Sequence, residues 1–106
     1  MIVTAWNNGA HRASGAGYGL KVSEVDRNKY FKKDWKIILI QLPGQEGWTE
    51  VNIAKRSFWR KDCGELIKKE IGVWLFQNGL APWETGDPPK LALESAGQNR
   101  FGLSLK

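Results

Sequence analysis

The sequence predicts a small, mainly β fold: an open β-barrel (a pseudobarrel) of about seven mostly antiparallel strands with two helices. The chain has 106 residues, enough for one hydrophobic core but too few for two, so we expect a single domain over residues 1–106. Short segments of alternating apolar and polar residues recur along it, as in half-buried strands. No strand–helix–strand unit requires a parallel sheet. The predicted order is β-β-α-β-β-(β)-α-β-β.

Strands are predicted where apolar and polar residues alternate, or where a short apolar run lies between turn signals. Residues 35–42 (WKIILIQL) form the clearest buried strand, and residues 48–53 (WTEVNI) alternate and follow the turn PGQEG. These two strands are therefore expected to pair as a hairpin. The other predicted strands are residues 2–6, 18–23, 90–95 and 100–105, with a further short one at RSFW (residues 56–59).

A short helix is predicted in the segment SEVDRNKYF. Ser23 followed by Asp26 has the spacing of a helix N-cap, although Asp replaces the usual Glu or Gln of a capping box. One or two helical turns are expected. The buried side of this helix is expected to consist of Val25 with Tyr30 or Phe31.

A longer helix is predicted over residues 62–79 (DCGELIKKEIGVWLFQNG). Asp62 followed by Glu65 has capping-box spacing, and Gly79 is a typical residue for the helix end. Between these limits, apolar residues recur at helical spacing: Leu66, Ile67, Ile71, Trp74 and Leu75.

The chain is basic, with a formal net charge of +5 and a sequence pI near 9.5. This charge favours an anionic partner, most commonly nucleic acid. Its distribution is uneven, because residues 6–21 and 54–61 contain basic but no acidic side chains, whereas residues 70–89 contain acidic but no basic ones. The separation predicts one positive face.

The residue inventory gives little support for catalysis or a cofactor. His11 is the only histidine and Cys63 the only cysteine, so neither a histidine cluster, a thiolate zinc site nor an internal disulfide is expected. A lone cysteine is more often a small core residue than a nucleophile. Without a signal-like or membrane-spanning apolar run, we expect a cytoplasmic protein with no membrane contact.

Three segments resemble the DNA-binding pseudobarrel family, which includes a plant transcription-factor domain and the effector-DNA-binding domains of certain restriction endonucleases. GYGLKVSEVDRNKYF is similar to that family's opening strand and short helix. WTEVNIAKRSFWRKDC is similar to its central strand and tryptophan-bearing arm, and GVWLFQNGLAPWETGD to its helix and following turn. The opening WNNG also resembles that of an uncharacterised small bacterial family, which implies no function.

The pseudobarrel resemblance implies a seven-stranded open barrel that grips double-stranded DNA in the major groove with two arms. We call residues 9–21 the first arm and residues 54–61 the second arm. Whether a separate nuclease or regulatory protein acts with the domain stays open, as does the oligomeric state. The implied DNA contacts are Arg12, Ser14 and Lys21 in the first arm, and Arg56, Ser57, Trp59, Arg60 and Lys61 in the second. The basic charge of the second arm adds Lys55 as an expected phosphate contact.

Physical reasoning supports parts of this assignment. Glycines in the first arm would allow backbone N–H groups to approach phosphate oxygens without a Cβ in the way. Lys and Arg in both arms would contact phosphates, and Arg60 is the favoured candidate for a base edge, because a guanidinium pairs bidentately with guanine. We therefore expect a binding domain rather than an enzyme.

Two alternatives remain open from the sequence. Trp35 and Trp74 are expected in the core, but exposed tryptophans could instead form a carbohydrate- or peptide-binding groove near Trp6, Trp83 and Asn78. The other alternative is a small metal-free ribonuclease that uses His11, Arg12 and Lys21 around a phosphate.

Overall fold

The computed structural model describes residues 1–10, 12–60 and 62–105. It contains seven strands and two helices in the described part of the chain. Their order matches the predicted one, although the strand before the second helix is formed by residues 63–67 and not by the predicted residues 56–59. The elements are β1 (Ile2–Asn7), β2 (Tyr18–Ser23), α1 (Glu24–Tyr30), β3 (Ile37–Gln41), β4 (Thr49–Asn52), β5 (Cys63–Ile67), α2 (Lys69–Gln77), β6 (Lys90–Ser95) and β7 (Arg100–Leu105).

The strands form one sheet in the order β4-β3-β7-β6-β1-β2-β5. All neighbours pair antiparallel except β3 and β7, which are parallel. The sheet curls until its two edge strands, β4 and β5, approach each other, which nearly closes the barrel. The predicted small open β-barrel with two helices is confirmed.

The strand alternation places apolar side chains inside the barrel. In β3, Ile38 and Ile40 are buried while Ile37 points outward, and β4 pairs back on this strand as the predicted hairpin. The predicted bounds of β6 and β7 agree with the structure. Trp74 of α2 is 1% exposed and belongs to the core, as expected. Trp35 is partly buried and packs against it.

Helix α1 begins as predicted but buries a different side chain. The Ser23 hydroxyl accepts a hydrogen bond from the Asp26 backbone N–H at 3.2 Å, which confirms the N-cap. Val25, however, is 74% exposed and Tyr30 is 36% exposed, so the expected apolar side was wrong except for Phe31. Arg27 is buried instead, because it reaches polar groups of the second arm.

The predicted helix over residues 62–79 was wrong in its first part. Residues 63–67 form β5, which pairs with β2 and places Leu66 opposite Leu20 inside the barrel. The apolar residues of the segment GELI fit the spacing of a strand as well as that of a helix. Pairing with β2 selects the strand. Helix α2 consequently starts at Lys69 after Lys68, without a side-chain cap, and the Asp62 capping box does not form.

Two smaller predictions have different outcomes. The segment predicted as a strand at residues 56–59 contains a 3₁₀ turn over Arg56–Phe58, which is a correction. Gly79 follows α2 with φ of +68°, in the left-handed region that favours glycine, so the predicted helix end is confirmed. The fold therefore places the second arm in a compact turn between β4 and β5.

Candidate nucleic-acid interface

The second arm is pinned to the barrel by its aromatic residues. Phe58 is fully buried and its ring packs edge-on against Phe31 at a centroid separation of 5.3 Å. The indole N–H of Trp59 donates to the Ile53 carbonyl at 2.9 Å, which ties the arm to the end of β4. The backbone N–H groups of Phe58 and Trp59 close the 3₁₀ turn. The arm is thus an ordered support for its charged side chains.

Arg27 of α1 provides a second anchor for this arm. Its guanidinium is 3% exposed and donates from Nη1 to the carbonyl oxygens of Phe58, at 3.2 Å, and Arg60. Glu24 lies 3.8 Å from Nη2, and the Asn28 side chain accepts from Nε at 3.2 Å. These carbonyls and the carboxylate compensate the lost hydration of the buried guanidinium. Sequence reasoning missed this residue, since nothing in SEVDRNKYF signals that its arginine turns inward.

Positive charge gathers around Trp59 from two segments of the chain. The Lys33 Nζ lies 5.9 Å from the centroid of the Trp59 ring. A shallow hollow of about 300 Å³ is lined by Lys33, Lys55, Arg56, Trp59 and Ala54. Lys33 belongs to the linker between α1 and β3, which runs beside the second arm because the Ile53 N–H donates to the Lys36 carbonyl at 3.0 Å.

We call this set, namely Lys33 with Lys55, Arg56, Trp59 and Arg60, the second-arm surface. Lys33 was missing from the predicted contacts, although the basic run FKKDWK was a signal for it. Lys55 is half-buried, whereas Lys33, Arg56 and Arg60 are exposed. Ser57 is half-buried within the 3₁₀ turn. Lys61 lies outside the described residues.

The cations of the second-arm surface are not neutralised within the described chain. In the described part of the chain, two ion pairs have a nitrogen–oxygen distance within 4.0 Å. One joins the amino terminus to Glu94 and the other joins Arg27 to Glu24. Lys33, Lys55 and Arg56 therefore have no described carboxylate at that distance. Such uncompensated positive charge on a rigid loop produces a local field that attracts anions.

Arg12 and Ser14 of the first arm lie in the β1–β2 loop, and Gly15 between β1 and β2 serves the fold. Arg12 and Ser14 are exposed, as a ligand contact requires, while His11 lies outside the described residues. Gly15 is buried against α2, where a Cβ would come within 2.7 Å of the Lys69 carbonyl oxygen. At this glycine the missing side chain makes room for the protein's own helix, which corrects the expectation that it makes room for a phosphate.

The structure places Arg12 and Ser14 of the first arm near one end of β2 and the second arm near the other end. This strand starts at Tyr18, after the loop that carries Arg12 and Ser14, and ends at Ser23, opposite Cys63, where β5 begins. Five strand intervals correspond to about 17 Å. Lys21 lies between them on the outer face and has Thr4 and Glu65 as its cross-strand neighbours. The predicted contacts therefore form two separate groups with Lys21 between them.

The structure agrees in part with the alternative of a groove near Trp6, Trp83 and Asn78. Trp6 and Trp83 line one cleft together, and Lys21 lines it too. Asn78 does not take part, because its side-chain amide donates to the Trp74 carbonyl at 2.8 Å. Trp48, 43% exposed, lies elsewhere and carries the Arg100 guanidinium 5.5 Å from its ring centroid.

Comparison of the chain with protein-family models, with curated proteins and with solved structures gives no match. Neither α1 nor α2 has the length and hydrophobicity that a membrane-spanning helix needs. Within residues 1–10, 12–60 and 62–105, no three His, Cys, Asp or Glu side chains gather in a way that could hold a metal ion. The side chain of Cys63 is outside the described part of the structure.

Proposed function

We propose that this domain binds double-stranded DNA, with the second-arm surface as its main contact. The observation that carries the proposal is the convergence of Lys33, Lys55 and Arg56 around Trp59, on a loop that Arg27 and Trp59 fix to the barrel. Contacts to phosphates supply the part of DNA-binding affinity that does not depend on the base sequence. A backbone that is already fixed loses little further conformational entropy when its charged side chains engage phosphates.

The environment of Trp59 favours a duplex over single-stranded nucleic acid. Single-strand binding relies on open aromatic faces on which bases stack. Trp59 is half-buried, its N–H is already used, and the charged groups of Arg27 and Lys33 each lie 5.9 Å from its ring centroid. Such a ring serves as a scaffold that positions cations for the phosphate backbone.

Arg60 and the first arm supply the further contacts of the proposed complex. Arg60 is exposed, and its carbonyl is held by Arg27, so its guanidinium is available for a guanine edge in the major groove. Arg12 and Ser14 would form a second contact about 17 Å along β2. Lys21 is expected to contribute less, because it stands apart from both groups of contacts and lines a separate cleft with Trp6 and Trp83.

The proposal is tested by fluorescence anisotropy with a labelled DNA duplex at low salt. Arg56→Ala is expected to weaken binding to every duplex sequence about equally, since a phosphate contact carries no sequence information. Arg100→Ala is the matched control: it also removes an exposed arginine, but from the outer face of β7. Equal losses for both variants would contradict a localised interface and leave only a net-charge effect.

Arg60 has its own test. If it pairs with a guanine edge, Arg60→Ala should cost about 1–3 kcal/mol for the preferred sequence and relax the preference at one position. Affinity selection from randomised duplexes with the wild-type protein and the variant measures this. An unchanged preference would restrict Arg60 to phosphate contact.

A further inference from the structure

Two clefts share Trp83 as a lining residue. The first has a volume of about 260 Å³ and is lined by residues that include Thr4, Trp6 and Lys21. The second, of about 330 Å³, is lined by residues that include Tyr18 and Thr85. Asn7, Trp83 and Gly86 line both, so the two clefts adjoin. We call them together the Trp83 cleft.

The aromatic walls of the Trp83 cleft are held in place by the core. The Trp83 ring meets Tyr18 edge-on at a centroid distance of 5.6 Å and an interplanar angle of 75°. Tyr18, 1% exposed, packs in turn edge-on against Phe76 at 5.3 Å. Trp6 faces outward from β1, which is paired on both sides in the middle of the sheet. The cleft is therefore preformed.

Polar groups in the Trp83 cleft are available to a ligand. The Asn7 side-chain oxygen accepts from the Gly9 N–H at 3.1 Å, which leaves its NH₂ group without a partner in the described chain. The hydroxyls of Thr4 and Thr85 also have no described hydrogen bond. Lys21 has no described carboxylate within 4.0 Å, and no Asp or Glu is among the described lining residues.

We infer that the Trp83 cleft binds an acidic sugar, that is, a pyranose ring that carries a carboxylate. A pyranose has an apolar C–H face suited to the tryptophan rings and a rim of hydroxyls suited to the amide and threonine groups. The Lys21 ammonium lies where it would pair with the carboxylate. This inference is independent of DNA binding by the second-arm surface.

Another ligand class, an extended peptide, fits the cleft less well. An extended peptide that adds to a sheet needs a free strand edge. In the cleft, β1 offers only a short one, because β2 pairs with Thr4–Asn7 along one edge, while β6 and the Pro89 carbonyl occupy the other edge from Ile2 to Ala5.

The inference is tested by NMR titration with glucuronate, following the indole N–H signals of the six tryptophans. Single Trp→Phe variants assign these signals. We expect the Trp6 and Trp83 signals to shift with a dissociation constant on the order of 1 mM, as for a small polar ligand. The Trp59 signal should stay in place. A DNA duplex should have the opposite effect, so the two proposals fail separately.

Three comparisons complete the test. Glucose should bind more weakly than glucuronate, and Lys21→Gln should remove most of this difference, whereas Lys32→Gln, which removes another exposed lysine, should preserve it. Tighter binding of benzoate than of glucuronate would overturn the sugar assignment. Absence of any shift at Trp6 and Trp83 with saturating glucuronate would overturn the site itself.

Discussion

Replacement of Arg27 by methionine tests whether a buried arginine holds the second arm in place. The substitution keeps an unbranched chain of similar length and removes the guanidinium. It leaves the carbonyls of Phe58 and Arg60 without their donor, and both belong to the second arm. The variant should therefore lose global stability and DNA affinity together.

The magnitude follows from the contacts that are lost. A hydrogen bond to a charged group contributes about 1.5–3 kcal/mol, and two such bonds to the arm disappear. Removal of the buried charge also removes a desolvation cost, which offsets part of this loss. We expect a net destabilisation of about 2–4 kcal/mol, or a decrease of about 10–20 °C in the melting temperature.

Chemical denaturation and thermal melting, followed by tryptophan fluorescence, measure the effect. Glu24→Gln is the matched control, because it removes the partner that lies 3.8 Å away and is 46% exposed. Such a half-exposed pair contributes less than about 1 kcal/mol. The reasoning is refuted if Arg27→Met is no less stable than Glu24→Gln, since the arm would then be held without the guanidinium.

Two further predictions concern the packing of the first arm and the titration of Tyr18. Gly72→Ala should destabilise the protein by about 1–3 kcal/mol in urea denaturation, because the new Cβ would lie 2.1 Å from the Gly15 carbonyl oxygen; Gly102→Ala, whose Cβ would meet no atom within 4 Å, should be nearly neutral. Burial raises the pKa of the Tyr18 phenol above its ordinary value of 10.0, so the folded state holds this proton more tightly than the unfolded state. The resulting stability is complete below pH 10.0 and is lost as the pH rises through the folded pKa. Denaturation at increasing alkaline pH should show that the free energy of unfolding declines less in Tyr18→Phe than in the wild-type protein. Identical declines in the two proteins would contradict this contribution of Tyr18.

The fold class was predictable because strand alternation and turn residues are local signals. The segments for β6 and β7 alternate so regularly that their bounds agree with the structure. The β5 segment could not be assigned this way, because its residues fit both periods and only the tertiary partner β2 selects the strand. The 3₁₀ turn at Arg56–Phe58 likewise depends on burial of Phe58, a long-range contact.

The sequence predicted only the part of the candidate site whose charged residues lie within one short segment. Lys55, Arg56 and Arg60 are close in sequence, but Lys33 joins them through the linker that packs beside β4. Arg27 could not be identified, because its partners are the carbonyls of residues more than thirty positions away. Gly15 illustrates the reverse case: a pattern that suggested ligand contact reflects close packing on α2.

The most direct test of DNA binding by the second-arm surface is the salt dependence of wild-type affinity for a DNA duplex. If Lys33, Lys55 and Arg56 each neutralise one phosphate while Arg60 contacts a base, the slope of log K against log salt concentration should be about −2.7. A first-arm contact by Arg12 would bring it to about −3.6. A slope near zero, or no binding at low salt, would contradict the account.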